Sequence, residues 1–410
     1  MLGRMLDDSY APEVRGNITA FATARLTSNA SYRFVGPFIA TIARGLDVKL
    51  ADIGVAIAIS ELFGLASPAI GHVVDRLGAR RAVAVGMSAA IAGACLAAGS
   101  QGVAMLTVAL VLLGQGNTTF YLGIGAWIAH HVPYERRGRV IGLIEVSWAL
   151  GLLIGVTTMG LVTAATSWRV GYLTGAAAMT VMAIIVVGRI EAQTPEHRIA
   201  AAARAAGHLI SRGWLVLLSG FALTAASHSL VVTFGSWLED EHGLTPAGLS
   251  AVTFILGAGE LVATLCVARF TDVWGKRRSV AVGASLMIPA SAGLALLHHH
   301  LVVGVLLLAI AVLGFEFSVV SAISLGATLV PGSPARGLGM LVGVDTVGRA
   351  VMSIPATRLY TSHGMGWPAT MTAVLASIAV GTIIVSSPRA AENLGFSAHD
   401  GGRSRRASPS

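Results

Sequence analysis

Apolar runs of about 20 residues, parted by short polar turns, recur along the whole chain. A helix of that length crosses a bilayer core of about 30 Å. The pattern predicts twelve such helices, over roughly residues 18–43, 50–72, 81–99, 102–130, 140–163, 170–189, 213–237, 248–269, 279–297, 301–330, 337–360 and 368–387. Composition sharpens this picture: 54% of the 410 residues are hydrophobic, 12% are charged, and the mean hydropathy is +0.75. Those values exclude a water-soluble globular class. The two cysteines, Cys95 and Cys266, fall in separate predicted spans, so no disulfide framework is expected. The N-terminus carries charge instead of an apolar core behind a cleavage site, so no removable signal peptide is expected.

The polar positions also repeat. Gly71-His72-Val73-Val74-Asp75-Arg76-Leu77-Gly78-Ala79-Arg80-Arg81 is echoed 197 residues later by Ala268-Arg269-Phe270-Thr271-Asp272-Val273-Trp274-Gly275-Lys276-Arg277-Arg278. Arg137-Gly138 with Arg336-Gly337, and Trp168 with Trp367, keep a spacing of 199; Leu113-Gly114 with Leu313-Gly314 keeps 200. Nearly constant offsets mean a duplicated unit. The expected fold is therefore an all-α integral membrane protein, with twelve transmembrane helices in two pseudo-symmetric six-helix bundles, residues 1–189 and 213–387. Residues 190–212 read as a cytoplasmic linker with a helix at the lipid surface, and 388–410 as a disordered cytoplasmic tail.

Most of the 28 Lys and Arg residues lie in loops on the side of the N-terminus; only Arg44, Lys49, Arg169 and Arg358 fall in loops opposite. By the positive-inside bias both termini are expected in the cytoplasm, in a multi-pass plasma (inner) membrane protein. The net charge of +8 is then a matter of topology. Basic residues scattered over loops do not make a nucleic-acid surface.

The G-x-x-x-D-R-x-G-x-R-R turn at 71–81, with its degenerate second copy, resembles the loop signature of the major facilitator superfamily, and the likeness covers roughly residues 18–387. The fifth span resembles the antiporter motif of the drug:proton branch: Gly142, Gly151, Gly155, Val156, Met159 and Gly160 stand at its positions, with its Pro and one Gly lost. In the fourth span Leu112 stands where that branch usually carries a proton-coupling Arg. Tyr32-Arg33-Phe34 followed by Pro37 is closest to sugar-efflux permeases of the arabinose type. The resemblance implies a gating task for the repeated turn. Asp75, Arg76, Gly78 and Arg80, and Asp272 in the second copy, would lock the cytoplasmic helix ends in the outward-facing state; a turn glycine and an Asp able to cap a helix suit that task.

A charge at mid-membrane costs about 2.5–3.5 kcal/mol, so each one needs a reason. Arg25, Asn29 and Arg33 are spaced i, i+4, i+8 in span 1 with Tyr32 beside them, a stripe that must face the bundle interior. Arg33 with Asn29 and Tyr32 reads either as a cavity wall for anionic or hydroxyl-bearing substrate groups or as a partner for Glu61 or Glu145; Arg25, nearer the cytoplasm, reads as the structural kind. Glu61, Glu260 and Glu316 lie near mid-depth and are the proton-coupling candidates, Glu316 and Glu61 ahead of Glu260; permanent salt bridges are the alternative. Glu145, only about five residues into its span, reads as a gate or packing residue. Asp345 and Arg349, i and i+4 on span 11, are expected to pair with each other. His228 between Ser227 and Ser229, and Asn117 beside Thr118 and Thr119, complete the cavity candidates, though such groups also make ordinary interhelical hydrogen bonds.

His298-His299-His300 invites a metal reading. Three consecutive residues cannot converge from one helix face, and no Cys or carboxylate adjoins them in sequence, so a wet extracellular loop is expected and no metal site. No G-x-x-x-x-G-K-[ST] loop occurs, so the energy source is expected to be the proton gradient, with no cofactor. The expected function is proton-coupled efflux of a small organic solute by alternating access, in a monomer whose partners are that solute and the bilayer. Proton-symport uptake uses the same residues. A non-transporting membrane sensor is the rival from another class, weakened by the lack of a large soluble domain, and an enzyme lacks any nucleophile–base constellation.

Overall fold

The computed structural model describes residues 2–6, 10–133, 137–191, 208–326, 328–330 and 334–386, all helix and connecting turn with no strand among them. Most of the expected linker, residues 192–207, and the tail 388–410 lie outside the described residues. Among the described residues, ten segments are long and apolar enough to cross a membrane. The first two expected spans complete the twelve, but each is divided.

Span 1 consists of α1 (Pro12–Arg33) and α2 (Ile39–Leu46). It starts earlier than the expected residue 18, with Pro12 in the first turn, where a missing N–H costs nothing. It breaks over residues 34–38, because Pro37 has no N–H to give a helix and disfavours helical backbone at Gly36. Span 2 is split into α3 (Leu50–Leu62) and α4 (Ser67–Leu77) by a 3-10 turn, Phe63–Ala66, just ahead of Pro68. α5 (Ala79–Ala98) and α6 (Val103–His131) follow as continuous spans. Span 5 is α7 (Arg137–Leu150), a π-helical turn over Gly151–Val156, and α8 (Thr157–Ala165); α9 (Trp168–Arg189) closes the first bundle.

In the second bundle, α10 (Gly213–Val231) and α11 (Phe234–Asp240) form span 7, interrupted at Val232–Thr233. α12 (Pro246–Trp274), α13 (Lys276–Leu297), α14 (Leu301–Gly326), α15 (Pro334–His363) and α16 (Gly366–Val385) are spans 8 to 12. The duplication survives in backbone detail: Gly78 (φ 80°) and Gly275 (φ 85°) both take the left-handed φ range between one helix and the next, where an L side chain is strained. Small residues let helices touch in equivalent places, Gly86 of α5 against the Gly116 carbonyl of α6, and Gly283 of α13 against that of Gly314 in α14.

The helices alternate in direction, so the bundles have two ends. The near end carries the Gly78 and Gly275 turns; the far end carries Asp47, Ser100, Thr166 and His298. The bundles meet chiefly from mid-height to the far end. α3 and the 3-10 turn lie along α15, whereas α4 packs on α5 and α6 of its own bundle. α12 lies against α8 and the π turn, and α2 against α11.

Candidate functional site

At mid-height, where the bundles face each other, two ion pairs cross between them, each with a buried carboxylate and a partly buried arginine. Arg33, at the last turn of α1, gives Glu260 of α12 two parallel hydrogen bonds, Nη1 to Oε2 at 2.9 Å and Nη2 to Oε1 at 2.5 Å. The same Nη1 donates to the Trp148 carbonyl at 3.0 Å, and the guanidinium stands 4.6 Å over the Trp148 ring. A forked, aromatic-backed arginine suits a desolvated site better than lysine would. The second pair runs the other way: Glu61, at the end of α3, accepts from Arg349 Nε of α15 at 2.9 Å and from the Tyr32 hydroxyl. Arg349 Nη2 also donates to Thr346 Oγ1 at 3.2 Å, and the Ser353 hydroxyl, bonded to the Arg349 carbonyl at 3.0 Å, meets His228 Nε2 at 2.9 Å. Tyr32 and Arg33 are chain neighbours, so α1 ties the two clusters together. Glu61 and Glu260 stand 199 residues apart, the interval that relates the two copies of the repeat.

Glu316 of α14 is set differently. It is 3% exposed, in electrostatic reach of Glu260, Arg33 and Glu145 and beside the Thr264 hydroxyl. Among the described residues it has no ion-pair partner. The shared cluster thus holds Glu61, Glu260 and Glu316 against Arg33 and Arg349, an excess of carboxylate in a place where an unbalanced charge is costly. A third pair stays inside the first bundle: Arg25 of α1 grips Glu145 of α7 at 2.7 and 2.9 Å, Tyr121 donates to the same carboxylate at 3.0 Å, and the guanidinium lies 4.2 Å over the Tyr121 ring. Between these levels Ser28 donates to Asn117 Oδ1 at 2.8 Å, and Asn117 Nδ2 reaches Asn29 Oδ1 at 3.4 Å.

The stripe of Arg25, Asn29 and Arg33 does face inward, as its spacing predicts. Arg33 takes neither partner expected for it; Glu260 holds it instead. The pairing expected between Asp345 and Arg349 is replaced: Arg349 turns to Glu61, while Asp345 turns toward Gly220 of α10, its Oδ1 buried and without a hydrogen-bond partner among the described residues. Successive turns of α15 face different neighbours, which overrides their i, i+4 spacing. In the repeated turn, Gly78 joins α4 to α5 and Arg80 is exposed. The side chains of Asp75, Arg76 and Asp272 lie outside the described residues. Trp148 and Tyr121 were not singled out by sequence; their signal is an aromatic three residues from Glu145 and another four from Asn117.

The far end is closed by a clasp that the sequence reading did not single out. Arg44 of α2 pairs with Glu239 and, at 3.5 Å, with Asp240 of α11; Thr41 Oγ1 donates to Glu239 at 2.5 Å. Beside it the Gly235 backbone lies so close to Pro37 that an added Cβ would come 2.7 Å from the Pro37 carbonyl carbon.

Two facing six-helix units with broken first helices and a repeated Asp–Gly turn agree with the family comparison. The family model described as Major Facilitator Superfamily matches residues 21–357. The chain belongs to that superfamily. Among its relatives, it is 24% identical over 136 residues to an uncharacterised MFS-type transporter YwfA of Bacillus subtilis, covering 33% of each chain. It is 32% identical over 108 residues to the multidrug resistance protein Stp of Mycobacterium tuberculosis, covering 26% of this chain and 20% of that one. The matches thus span a third or less of those relatives' length. Among solved structures, a bacterial homologue of the human lysosomal transporter Spinster, inward-facing and unoccupied, superposes with a TM-score of 0.66 at 13% identity over 91% of this chain and 94% of that one. A human organic anion transporter gives 0.64 at 15% identity over 92% and 100%. The fold is that of the major facilitator superfamily.

Proposed function

We propose that this superfamily member exports a small organic solute in exchange for protons, by alternating access about the mid-height cluster. The observation that carries the reading is Glu316: a buried carboxylate that has no ion-pair partner among the described residues, next to an ion pair that joins the two bundles. A carboxylate so placed needs a proton or a cation to be stable. A proton passed between Glu316 and Glu260 changes the hold of Glu260 on Arg33, and hence the cost of parting the bundles. The positive-inside bias puts the near end in the cytoplasm, so the far-end clasp closes the outer face and this form is inward-facing. The Asp75 and Asp272 turns, with Arg76 and Arg80, take over at the near end when the molecule faces outward. Glu145 and Arg25 hold α1 to α7 through the cycle. Solute would meet Asn29, Asn117, Tyr32 and His228 from the cytoplasmic side, in a plasma membrane protein.

Export is favoured by the glycine pattern of span 5 and by the multidrug resistance relative. Val156 in place of the antiporter motif's Pro favours the second reading, uptake by proton symport. The deciding experiment uses inside-out vesicles with a preformed pH gradient and a panel of sugars, drugs and organic anions. A compound that collapses the gradient with the wild-type chain, and at least tenfold more slowly with Glu316→Gln, supports the proposal. Full activity of Glu316→Gln overturns the proton assignment, and solute accumulation driven by an inward proton gradient in right-side-out vesicles replaces export by symport.

A further inference from the structure

The far end of the second bundle holds a cluster apart from the mid-height site. In sequence, His298-His299-His300 stand apart from any carboxylate, but the fold brings Glu241 to them from the turn after α11. Glu241 Oε2 lies 2.9 Å from His298 Nδ1, the His298 and His299 rings are 3.8 Å apart between centroids, and ligand atoms of all three residues fall within 4.8 Å of one another. An ion with four ligands at about 2.0–2.1 Å sets neighbouring ligand atoms about 3.3 Å apart, so these side chains need only small rotations to enclose one.

Two of the three are already oriented by their surroundings. The other Glu241 oxygen accepts the Met365 N–H at 3.1 Å. The His298 carbonyl takes hydrogen bonds from Trp237 Nε1 at 3.2 Å and His242 Nε2 at 2.9 Å, which fixes the turn that carries His298 and His299. The first bond supports the carboxylate directly, and the other two hold the backbone of the turn in place. His298 is buried, whereas Glu241 and His299 are exposed, so an ion can enter from water.

We propose that Glu241, His298 and His299 bind a divalent transition-metal ion of the zinc class, with the remaining position left to water. Two imidazoles and one carboxylate suit zinc, nickel or copper, and do not suit calcium or magnesium, which take oxygen ligands. The bound ion ties the end of α11 to the α13–α14 turn and, through Met365, to the start of α16. Glu239 and Asp240, the residues just before Glu241, hold Arg44 of the other bundle. The ion therefore stiffens the platform on which the clasp is mounted and favours the form closed at the far end.

The test is calorimetric titration of Zn2+ into the full-length, tag-free, chelator-treated protein in detergent, with Co2+ absorption reporting coordination. The expected result is one saturable site in the wild type, weakened at least about tenfold in both Glu241→Gln and His299→Ala. It should be unchanged in His300→Ala. His299 is exposed and Gln keeps an oxygen for Met365, so both variants fold; unfolding temperatures without metal check this, and Zn2+ should raise them in the wild type alone. No saturable binding by the wild type overturns the site. So does equal binding by both variants, or a loss in His300→Ala that His299→Ala does not share.

Discussion

Arg33 and Glu260 show how one side chain commits another. Glu260 is buried and Arg33 nearly so, and together they exchange two charge-assisted hydrogen bonds. Removing one partner leaves a desolvated charge, so Glu260→Ala should lower stability by about 3–5 kcal/mol. The double replacement Arg33→Met with Glu260→Leu, similar in volume and uncharged, should recover most of that loss in thermal unfolding in detergent, yet lose pH-driven transport. Equal destabilisation by the single and double changes would mean the pair is no more than packing. The sequence exposes the members of such pairs, because a charge inside a 20-residue apolar run is conspicuous, but it hides the pairing. Arg33 and Glu260 are 227 residues apart, and Glu61 and Arg349 are 288. Only the meeting of two bundles selects between carboxylates of equal depth. Asp345 and Arg349 mislead for the converse reason, since proximity along a helix says nothing about which neighbour each side chain meets.

The breaks within spans decide where backbones can approach. A hydropathy window averages over about 20 residues, so it finds the spans and misses one-turn interruptions. Gly36-Pro37 is readable as a break from proline chemistry alone. The 3-10 turn at Phe63–Ala66 is hinted at by Pro68 alone, and the π turn at Gly151–Val156 has no proline to mark it. At the π turn Gly257 of α12 faces Leu153 backbone, where an added Cβ would lie 2.6 Å from the Leu153 Cα. Gly257→Val should therefore force α12 off span 5 and disfavour the far-end-closed form, at a cost of about 1–3 kcal/mol typical of overpacking. The check is labelling of Ser236→Cys, at a fully buried far-end position, in a Cys95→Ser, Cys266→Ser background. A membrane-impermeant maleimide should react faster once Gly257→Val is added; an unchanged rate would show that the contact does not set the equilibrium.

For the molecule as a whole, the two bundles and their repeat were legible, because duplication leaves offsets that no packing detail erases. The far-end clasp was not, because Arg44 and Glu239 are ordinary loop-edge charges until α2 and α11 meet. Arg44→Glu should open that end, seen as a longer spin-label distance across it, and adding Glu239→Arg should restore the closed distance. A closed distance in the single variant would assign closure to the Pro37–Gly235 contact instead. The repeat has a further consequence for the mid-height pairs. Under the pseudo-twofold that exchanges the bundles, Glu61 and Glu260 trade places. A first bundle facing a copy of itself would set Arg33 against Glu61, and a second bundle facing its own copy would set Arg349 against Glu260. Each half thus carries both signs of the code that joins it to the other. Only the carboxylate repeats: at the same interval of 199, Val232 answers to Arg33 and Leu150 to Arg349, so each half supplies its arginine from a different helix and can drift only while its counterpart keeps the opposite charge.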